Sequence, residues 1–524
     1  MKDLKMSQHW ADITANKIIA LKGDKPIYTC ASGITPSGTV HIGNFREIIS
    51  TELVVRALRE RGKKVRFIYS WDDYDVFRKV PKNMPSPEIL ENYLRYPITL
   101  VPDTSESGTD NYARKNELDI EKELPKVGIA PEYIYQASRY RSSYYAEDIK
   151  KALEKKSEII AILNEYRTEP LTDEWWPISV FSSFTNKDTT TVLSWDGEYG
   201  ITYRDDSVNK TETVDLRKTS LVKLNWRVDW PMRWVKEGVD FEPAGKDHHS
   251  EGGSFDTSKK IVKLFGGEAP VSFQYDFLSI KGHGGKISSS SGDVVSLKDV
   301  LEIYTPEVTR YLFASTRVNA EFAISFDTDV FKIYEDYDNC ERIYFGEMQV
   351  NEKRKEKEER IFELSQVNEV PKTLSYQIPF RHLTNLLLIH SLDTEETIKS
   401  LADVKNDQIE RLRAKAACAV AWLKNYASDE FKWSLSSNST PLPKMSDKEK
   451  KAIKDLAILA SSIDELDEKT LGNKIYDVAH NAEIEPTELF TVAYKVLIGR
   501  EKGPRLAGFL KAIGSKKATT ILGR

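Results

Sequence analysis

Two short segments, far apart in the chain, carry residue types suited to holding phosphates: Thr35-Pro-Ser-Gly-Thr-Val-His41-Ile-Gly43-Asn44 and Lys286-Ile-Ser-Ser-Ser-Ser-Gly292. A neutral imidazole and serine hydroxyls are directional hydrogen-bond donors, and a lysine ammonium adds a point charge. Pro36, Ser37, Gly38 and Gly43 shape the first segment as a tight turn at a helix start, where unpaired backbone N–H groups and the helix dipole face an anion together. The pair points to ATP chemistry. A third group, Asp72-Asp73-Tyr-Asp75, brings carboxylates able to balance a substrate ammonium; Asp73 is the candidate carried forward, with Asp72 and Asp75 left open.

These residues need a scaffold that delivers them to one place. The first motif follows an extended apolar run, Ile27 to Ala31, and precedes a helical pattern over Asn44 to Arg61 with Phe45, Ile48, Ile49, Leu53 and Leu58 on its apolar positions and Gly62 at its end. With Val65 to Trp71 next, the order strand, helix, strand predicts a parallel βαβ unit. The acidic cluster then falls just past the second strand, where open α/β sheets build their sites.

Prolines 81, 85, 87, 97 and 102 open a less regular stretch that reads as an insertion between two halves of the sheet. Regular α/β character returns at Leu224. Because Pro231 disfavours helix at the residue before it, Leu224 to Trp230 is predicted extended, with a helix starting at Pro231. Trp226, Val228 and Trp230 then share one face and wall a pocket. A loop over Ala244 to Gly253, a helix ending at Gly266-Gly267 and a strand over Phe277 to Ile280 lead to the second motif. Beyond Asn319, segments such as Phe380 to Ser391 and Ile409 to Tyr426 predict helices alone, and the mixed-charge run Asn351 to Arg360 reads as a solvated helix face.

At 524 residues, 40% hydrophobic and 30% charged, the chain has material for two to four domains. A net charge of −5 excludes a uniformly basic coat and leaves room for a local basic surface. Cys30, Cys340 and Cys418 are too widely spaced for a paired metal or redox motif and suit a reducing, cytoplasmic setting. No apolar run reaches membrane-spanning length, so no membrane partner is expected.

The two motifs together resemble those of class I aminoacyl-tRNA synthetases, His41 to Asn44 matching the HIGH motif and Lys286 to Ser290 the KMSKS motif. Asn44 stands where the motif has its last histidine, and Ser289 where it has its second lysine. Longer strings, Ala31 to Gly38, Trp71 to Asp75, Trp226 to Trp234 and Gly238 to His248, resemble the archaeal-type class I lysyl-tRNA synthetases. That resemblance implies a split doubly wound, Rossmann-like parallel sheet (1–80 and 221–320), a connective insertion (81–220), a stem-contact linker (321–370) and an all-α anticodon-binding domain (371–524). It implies ATP with Mg2+, L-lysine and tRNA(Lys) as substrates, and a monomer.

Carried over residue by residue, the resemblance assigns catalysis to His41, Asn44, Lys286, Ser288 and Ser289. ATP falls to Pro36, Ser37, Gly38, His41, Gly43, Asn44, Gly245, Asp247, Lys286 and Ser289. Lysine falls to Gly33, Thr35, Trp226, His248 and Tyr275, beside Asp73. Adjacent histidines such as His248 and His249 seldom point together, so no metal site is expected there. Phe181-Ser-Ser-Phe and Tyr203-Arg-Asp-Asp stand where relatives often carry a zinc module's ligand pairs, so no zinc is expected either.

From Arg500 onward seven basic residues face one acidic residue, Glu501. Within a C-terminal string that resembles the same family, Arg500, Lys502 and Arg505 are the expected tRNA contacts. Two other readings remain: another class I adenylate-forming nucleotidyltransferase, and an RNA-binding paralogue weakened by the serines at 289 and 291. Lys286→Ala is expected to lower amino-acid-dependent ATP–pyrophosphate exchange by roughly 10²–10³-fold, the loss typical of one preorganised donor to developing charge, while tRNA affinity in a filter-binding assay stays unchanged.

Overall fold

The computed structural model describes residues 8–82, 84–281 and 294–524. Lys286, Ser288 and Ser289 lie outside them. The chain divides into two compact units, one made of 1–301, 306–325 and 339–372, the other of 302–305, 326–338 and 373–524.

The first unit is built on a four-stranded parallel sheet. After helix α1 (Trp10–Lys22) come strand β1 (Tyr28–Ile34), helix α2 (Ile42–Glu60) and strand β2 (Val65–Trp71), with β1 and β2 paired in register from Tyr28↔Val65 to Ile34↔Trp71. The expected βαβ unit is present. Phe45, Ile48, Ile49, Leu53 and Leu58 are fully buried, and Gly62 ends the helix at φ +75°. Strand β3 (Glu132–Tyr135) pairs outside β2, and Val239–Phe241 pairs on the far side of β1. Strand order therefore reverses beside β1. Since parallel crossovers are right-handed, that reversal puts helices on both faces and opens a crevice at the carboxyl ends of β1 and Val239–Phe241.

On one face the helices Trp226–Glu237 and Ser254–Leu264 bury Trp230, Trp234, Phe255 and Val262 against Ala31, Ile68 and Ile134. Two sequence boundaries shift. The segment 81–220 supplies β3 to the main sheet, and Phe322–Ile324, beyond residue 320, pairs in parallel with Leu278–Ile280. Both are strands of only 3 or 4 residues, too short for their alternation to stand out in sequence. The remainder of 81–220 includes an antiparallel sheet of Thr190–Trp195, Gly200–Asp205 and Lys210–Asp215. Where a zinc module was considered, the buried Asp205 accepts from Thr185 Oγ1 (2.7 Å) and Ser207 Oγ (2.6 Å).

Arg46 closes the split sheet. Its buried guanidinium donates to four carbonyls: Phe277 O (2.8 Å), Arg317 O (3.3 Å), Val318 O (2.9 Å) and Ala320 O (2.6 Å). The helix carrying the first motif is thereby tied to the two strands that flank the approach to the second.

Beyond 373 every described element of the second unit is a helix; Phe380–Ile389 and Ile409–Asn425 form where sequence periodicity places them. Among the described residues no helix is long and apolar enough to cross a membrane. Arg46→Met is expected to lower unfolding free energy by at least ~3 kcal/mol, because buried carbonyls left unpaired cost about 1–3 kcal/mol each. A shift of the urea midpoint smaller than that of an exposed arginine control such as Arg354→Met would contradict this role.

Candidate active site

The first motif is a capped helix start. His41 is the N-cap of α2: its Nδ1 accepts from Asn44 N (3.3 Å), and Asn44 Oδ1 accepts from His41 N (3.2 Å). A neutral imidazole whose Nδ1 accepts carries its proton on Nε2, the donor form. Asn44 likewise uses its carbonyl for the cap, which leaves its amide N–H groups to point elsewhere, and Asn44 lines the adjacent cavity. Gly43 is required by close approach, since a Cβ there would meet the His41 ring at 2.9 Å. The turn is held from the 81–220 segment: Tyr112 OH donates to Ser37 O (2.9 Å) and Asn116 Nδ2 to Pro36 O (3.4 Å). Ile42 N donates to Val295 O (2.8 Å), so the chain leaving the second motif returns to this helix start.

A cavity of about 640 Å³ lies at the carboxyl ends of the strands. Of the sequence candidates, Gly33, Thr35, Asn44, Trp226, His248 and Tyr275 line it. A Cβ on Gly33 would come within 2.7 Å of Ser70 O, so only glycine fits that wall. Pro36, Ser37, Gly38, His41, Gly43, Gly245 and Asp247 lie outside the lining. Gly245 sits in the short strand Ala244–Gly245, beside Tyr275, and Asp247 is on the exposed turn that follows. His248 Nδ1 pairs with Ser254 Oγ (2.5 Å) and its ring meets Trp230 edge-on, whereas His249 Nε2 pairs with Ser272 Oγ (3.2 Å). The two histidines serve different neighbours.

Asp73 does not face the cavity. It is buried, accepts from Ala137 N (2.7 Å), and burial lifts its carboxyl to about 7. Its neighbours line the wall instead, each matched by a cation: Asp72 meets Arg233 at 2.5 Å, and Asp75 pairs with Lys223 while accepting from Thr35 Oγ1 (3.0 Å). In a strand-end loop, adjacent residues point apart, and the sequence gives no sign of which one turns inward.

Sequence reasoning missed two carboxylates. Glu47, one turn into α2, accepts from Ser32 Oγ (2.8 Å), Gly33 N (3.2 Å) and Tyr275 OH (2.5 Å). Glu242, immediately after Val239–Phe241, is buried and accepts from Trp234 Nε1 (2.6 Å). Among the described residues neither forms an ion pair. Burial raises both, and the Glu47 charge helps push Glu242 up to about 7. Glu242 was legible from its place at a strand's carboxyl end; Glu47 was masked by the helix periodicity around it.

The tryptophan string departs from expectation. Residues Trp226–Glu237 form one helix with Pro231 inside it. The missing N–H and the ring of an interior proline cost ~3 kcal/mol. Here that cost is offset by side chains at i, i+4 spacing: Trp226 stacks on Trp230 (5.0 Å, 16°), Trp230 meets Trp234 (5.0 Å), and Arg233 pairs with both Asp72 and Asp229. The aromatic wall of the pocket is therefore a helix face. Of the expected tRNA contacts, Arg500 donates to Asp429 O and Lys432 O and braces the second unit, while Lys502 and Arg505 are exposed.

A family model described as tRNA synthetases class I (K) matches residues 8–368. The chain belongs to this family. Curated relatives named lysine–tRNA ligase include one from Borreliella burgdorferi, 56% identical over 507 residues and covering 97% of each chain. One from Treponema pallidum is 52% identical, covering 98% of each. One from Thermococcus kodakarensis is 41% identical, covering 96% of this chain and 97% of the relative. In this family member the described half of the two-motif signature is a helix cap, and the pocket beside it is walled by tryptophan and lined by more acid than base.

A glutamate whose folded-state value is raised to about 7 from an ordinary 4.5 binds its proton more tightly folded than unfolded, so its contribution falls as pH rises from 4.5 to 7 and is fully lost above. Glu242→Gln keeps the acceptor for Trp234 and removes the charge. Urea denaturation is expected to find this variant equal to the native protein near pH 4.5 and more stable by about 1–3 kcal/mol at pH 8.

Proposed function

We propose that the chain is a lysine–tRNA ligase, activating L-lysine with ATP and transferring it to the 3′ end of tRNA(Lys). Membership of the class I family and the full-length relatives of that name support the reaction. The observation that carries the choice of amino acid is the pair Glu47 and Glu242. A half-buried and a buried carboxylate, neither in an ion pair among the described residues, share the cavity with the partly exposed Trp226, and this suits a substrate with an ammonium group at the end of an apolar stem.

In the first step the lysine carboxylate attacks the α-phosphate of ATP, forming lysyl-adenylate and releasing pyrophosphate. ATP enters as its magnesium complex, a substrate rather than a resident ion. His41, through Nε2–H, and the Asn44 amide donate to the phosphates at the positive end of α2, and Lys286 with Ser288 and Ser289 adds charge and hydroxyl donors. Their contribution is positioning and electrostatics, with no covalent intermediate on the enzyme. In the second step the terminal ribose hydroxyl of tRNA attacks the adenylate carbonyl and AMP leaves. Gly33, Thr35 and Tyr275 position lysine, the last two through their bonds to Asp75 and Glu47. The ligase acts in the cytoplasm as a monomer, with its helical unit holding the anticodon arm.

ATP–pyrophosphate exchange measured with each amino acid, with and without tRNA, is expected to respond to lysine alone. Glu242→Gln is expected to raise the KM for lysine by ~10–100-fold, the worth of one charge-assisted contact, with the KM for ATP unchanged. Exchange supported equally by a neutral isostere such as norleucine would remove the basis for this assignment.

A further inference from the structure

A buried polar ring joins the 81–220 segment to the wall of the cavity at the strand ends. It starts at Tyr140, on the helix Gln136–Arg141, whose hydroxyl donates to Asp229 and accepts from Leu224 N (3.3 Å). Burial pushes that hydroxyl well above its ordinary range, so it keeps the proton it donates. Asp229 Oδ2 faces Arg233 Nε at 3.3 Å, one turn further along the helix Trp226–Glu237. Arg233 Nη1 then donates to Asp72 Oδ1 (2.5 Å) and to Ser70 Oγ (2.7 Å). The return path runs through Gln136, whose Nε2 donates to Ser70 Oγ (2.8 Å) and whose Oε1 accepts from Tyr145 OH (2.9 Å). The rings of Tyr140 and Tyr145, 5.0 Å apart, close it.

Gln136, Tyr140, Tyr145, Asp229 and Arg233 are all buried, and turning one of them away would leave a buried charge or polar group unpaired. The ring therefore holds its geometry. Ser70 and Asp72 are its two members from the end of β2, and both line the cavity. Being two residues apart they share one face, whereas Trp71 and Asp73 turn into the protein. Ser70 Oγ accepts from both Arg233 and Gln136, which occupies its two lone pairs and leaves its O–H to donate. Arg233 takes one oxygen of Asp72, and a carboxylate has a second to offer. A donor and an acceptor thus stand side by side on the wall, in the cavity that Glu47 and Trp226 also line. A free amino acid carries the matching pair, a carboxylate that accepts next to an ammonium that donates.

We propose that Ser70 and Asp72 contact the amino-acid substrate, the hydroxyl donating to its carboxylate and Asp72 accepting from its α-ammonium, and that Tyr140 is a positioning residue acting through Asp229 and Arg233. The inference rests on the ligase reading for its substrate and adds a route by which the 81–220 segment sets affinity in the pocket. Glu47 and Glu242 then serve the ammonium at the end of the side chain. Groups held in place before the substrate arrives cost less to order on binding, so the ring acts on affinity for the amino acid and leaves the ATP end untouched.

The test uses the full-length protein and lysine-dependent ATP–pyrophosphate exchange with tRNA present, read as separate KM values for lysine and for ATP. Asp72→Asn keeps an acceptor for Arg233 but turns an amide toward the ammonium, and is expected to raise the KM for lysine roughly 10- to 100-fold, the worth of one charge-assisted contact. Ser70→Ala is expected to raise it about 2- to 10-fold, the worth of a neutral hydrogen bond. Tyr140→Phe keeps the ring and its packing, and is expected to raise the KM for lysine about 2- to 10-fold with the KM for ATP unchanged. That factor is expected to shrink when Tyr140→Phe is placed in Asp72→Asn, because a residue acting through another loses its effect with it. Loss of folded protein lowers the apparent kcat alone and does not imitate this pattern. A lysine KM unaltered in Asp72→Asn, or a Tyr140→Phe factor that multiplies in full in the double variant, overturns the proposal. Absence of lysine-dependent exchange in the native protein removes the ligase reading, whereas its presence with an unaltered Asp72→Asn removes only these contacts.

Discussion

A guanidinium has five N–H donors, and the buried Arg46 directs its own to carbonyls of Phe277, Arg317, Val318 and Ala320. Those partners are more than 230 residues away in sequence. A sheet whose halves are separated by a long intervening segment needs something other than chain connectivity to hold its ends in register. Arg46 sits two residues beyond Asn44, on the helix that the first motif opens, and its guanidinium lies over the Phe322 ring at 4.9 Å. The position of the helix start that carries His41 and Asn44 is tied to those distant carbonyls by that one side chain. A second guanidinium, on the fully buried Arg310, does similar work deeper in the same unit, reaching Glu52 of α2, Leu364 O and Val127 O.

The cavity at the carboxyl ends of the strands is organised by an imbalance of charge. Arg233 and Lys223 neutralise Asp72 and Asp75, and those pairs fix the acidic loop after β2. What remains is Glu47 and Glu242, satisfied by neutral donors alone. Hydrogen bonds from Ser32, Gly33, Tyr275 and Trp234 keep these carboxylates in place without cancelling their charge. Desolvation raises the affinity of both for protons, the charge of Asp72 adding to it at Glu47 and that of Glu47 at Glu242. The intervening segment adds a structural brace, with Tyr112 and Asn116 donating to the carbonyls of Ser37 and Pro36 in the turn before α2.

Much of this was legible in the sequence where the signal was local. An apolar run and helical spacing placed β1, α2 and β2, because segments of 7 to 19 residues are long enough to show their pattern. The helices of the second unit were legible for the same reason. Short strands were not: β3 and Phe322–Ile324 are held by pairing with distant strands and carry no pattern of their own. Pro231 misled in the opposite direction. Local chain sterics favour an extended Trp230, and only the stacked tryptophans and the buried Arg233 outweigh that preference.

By itself, then, the sequence determined the chemistry available: a histidine at a helix start, a distant lysine–serine loop, a tryptophan string, an acidic cluster and a basic C-terminal segment. Those are properties of residue type and of spacing within a few turns of chain. The tertiary structure decided which members of each group meet. It turned Asp73 inward to Ala137 N and brought Glu47 and Glu242 together from different elements. It also bound Arg500 to backbone carbonyls while leaving Arg505 uncommitted beside two aromatic rings. Side-chain direction at a strand end, and the desolvation of two carboxylates, depend on neighbours far away in sequence, which no local pattern encodes.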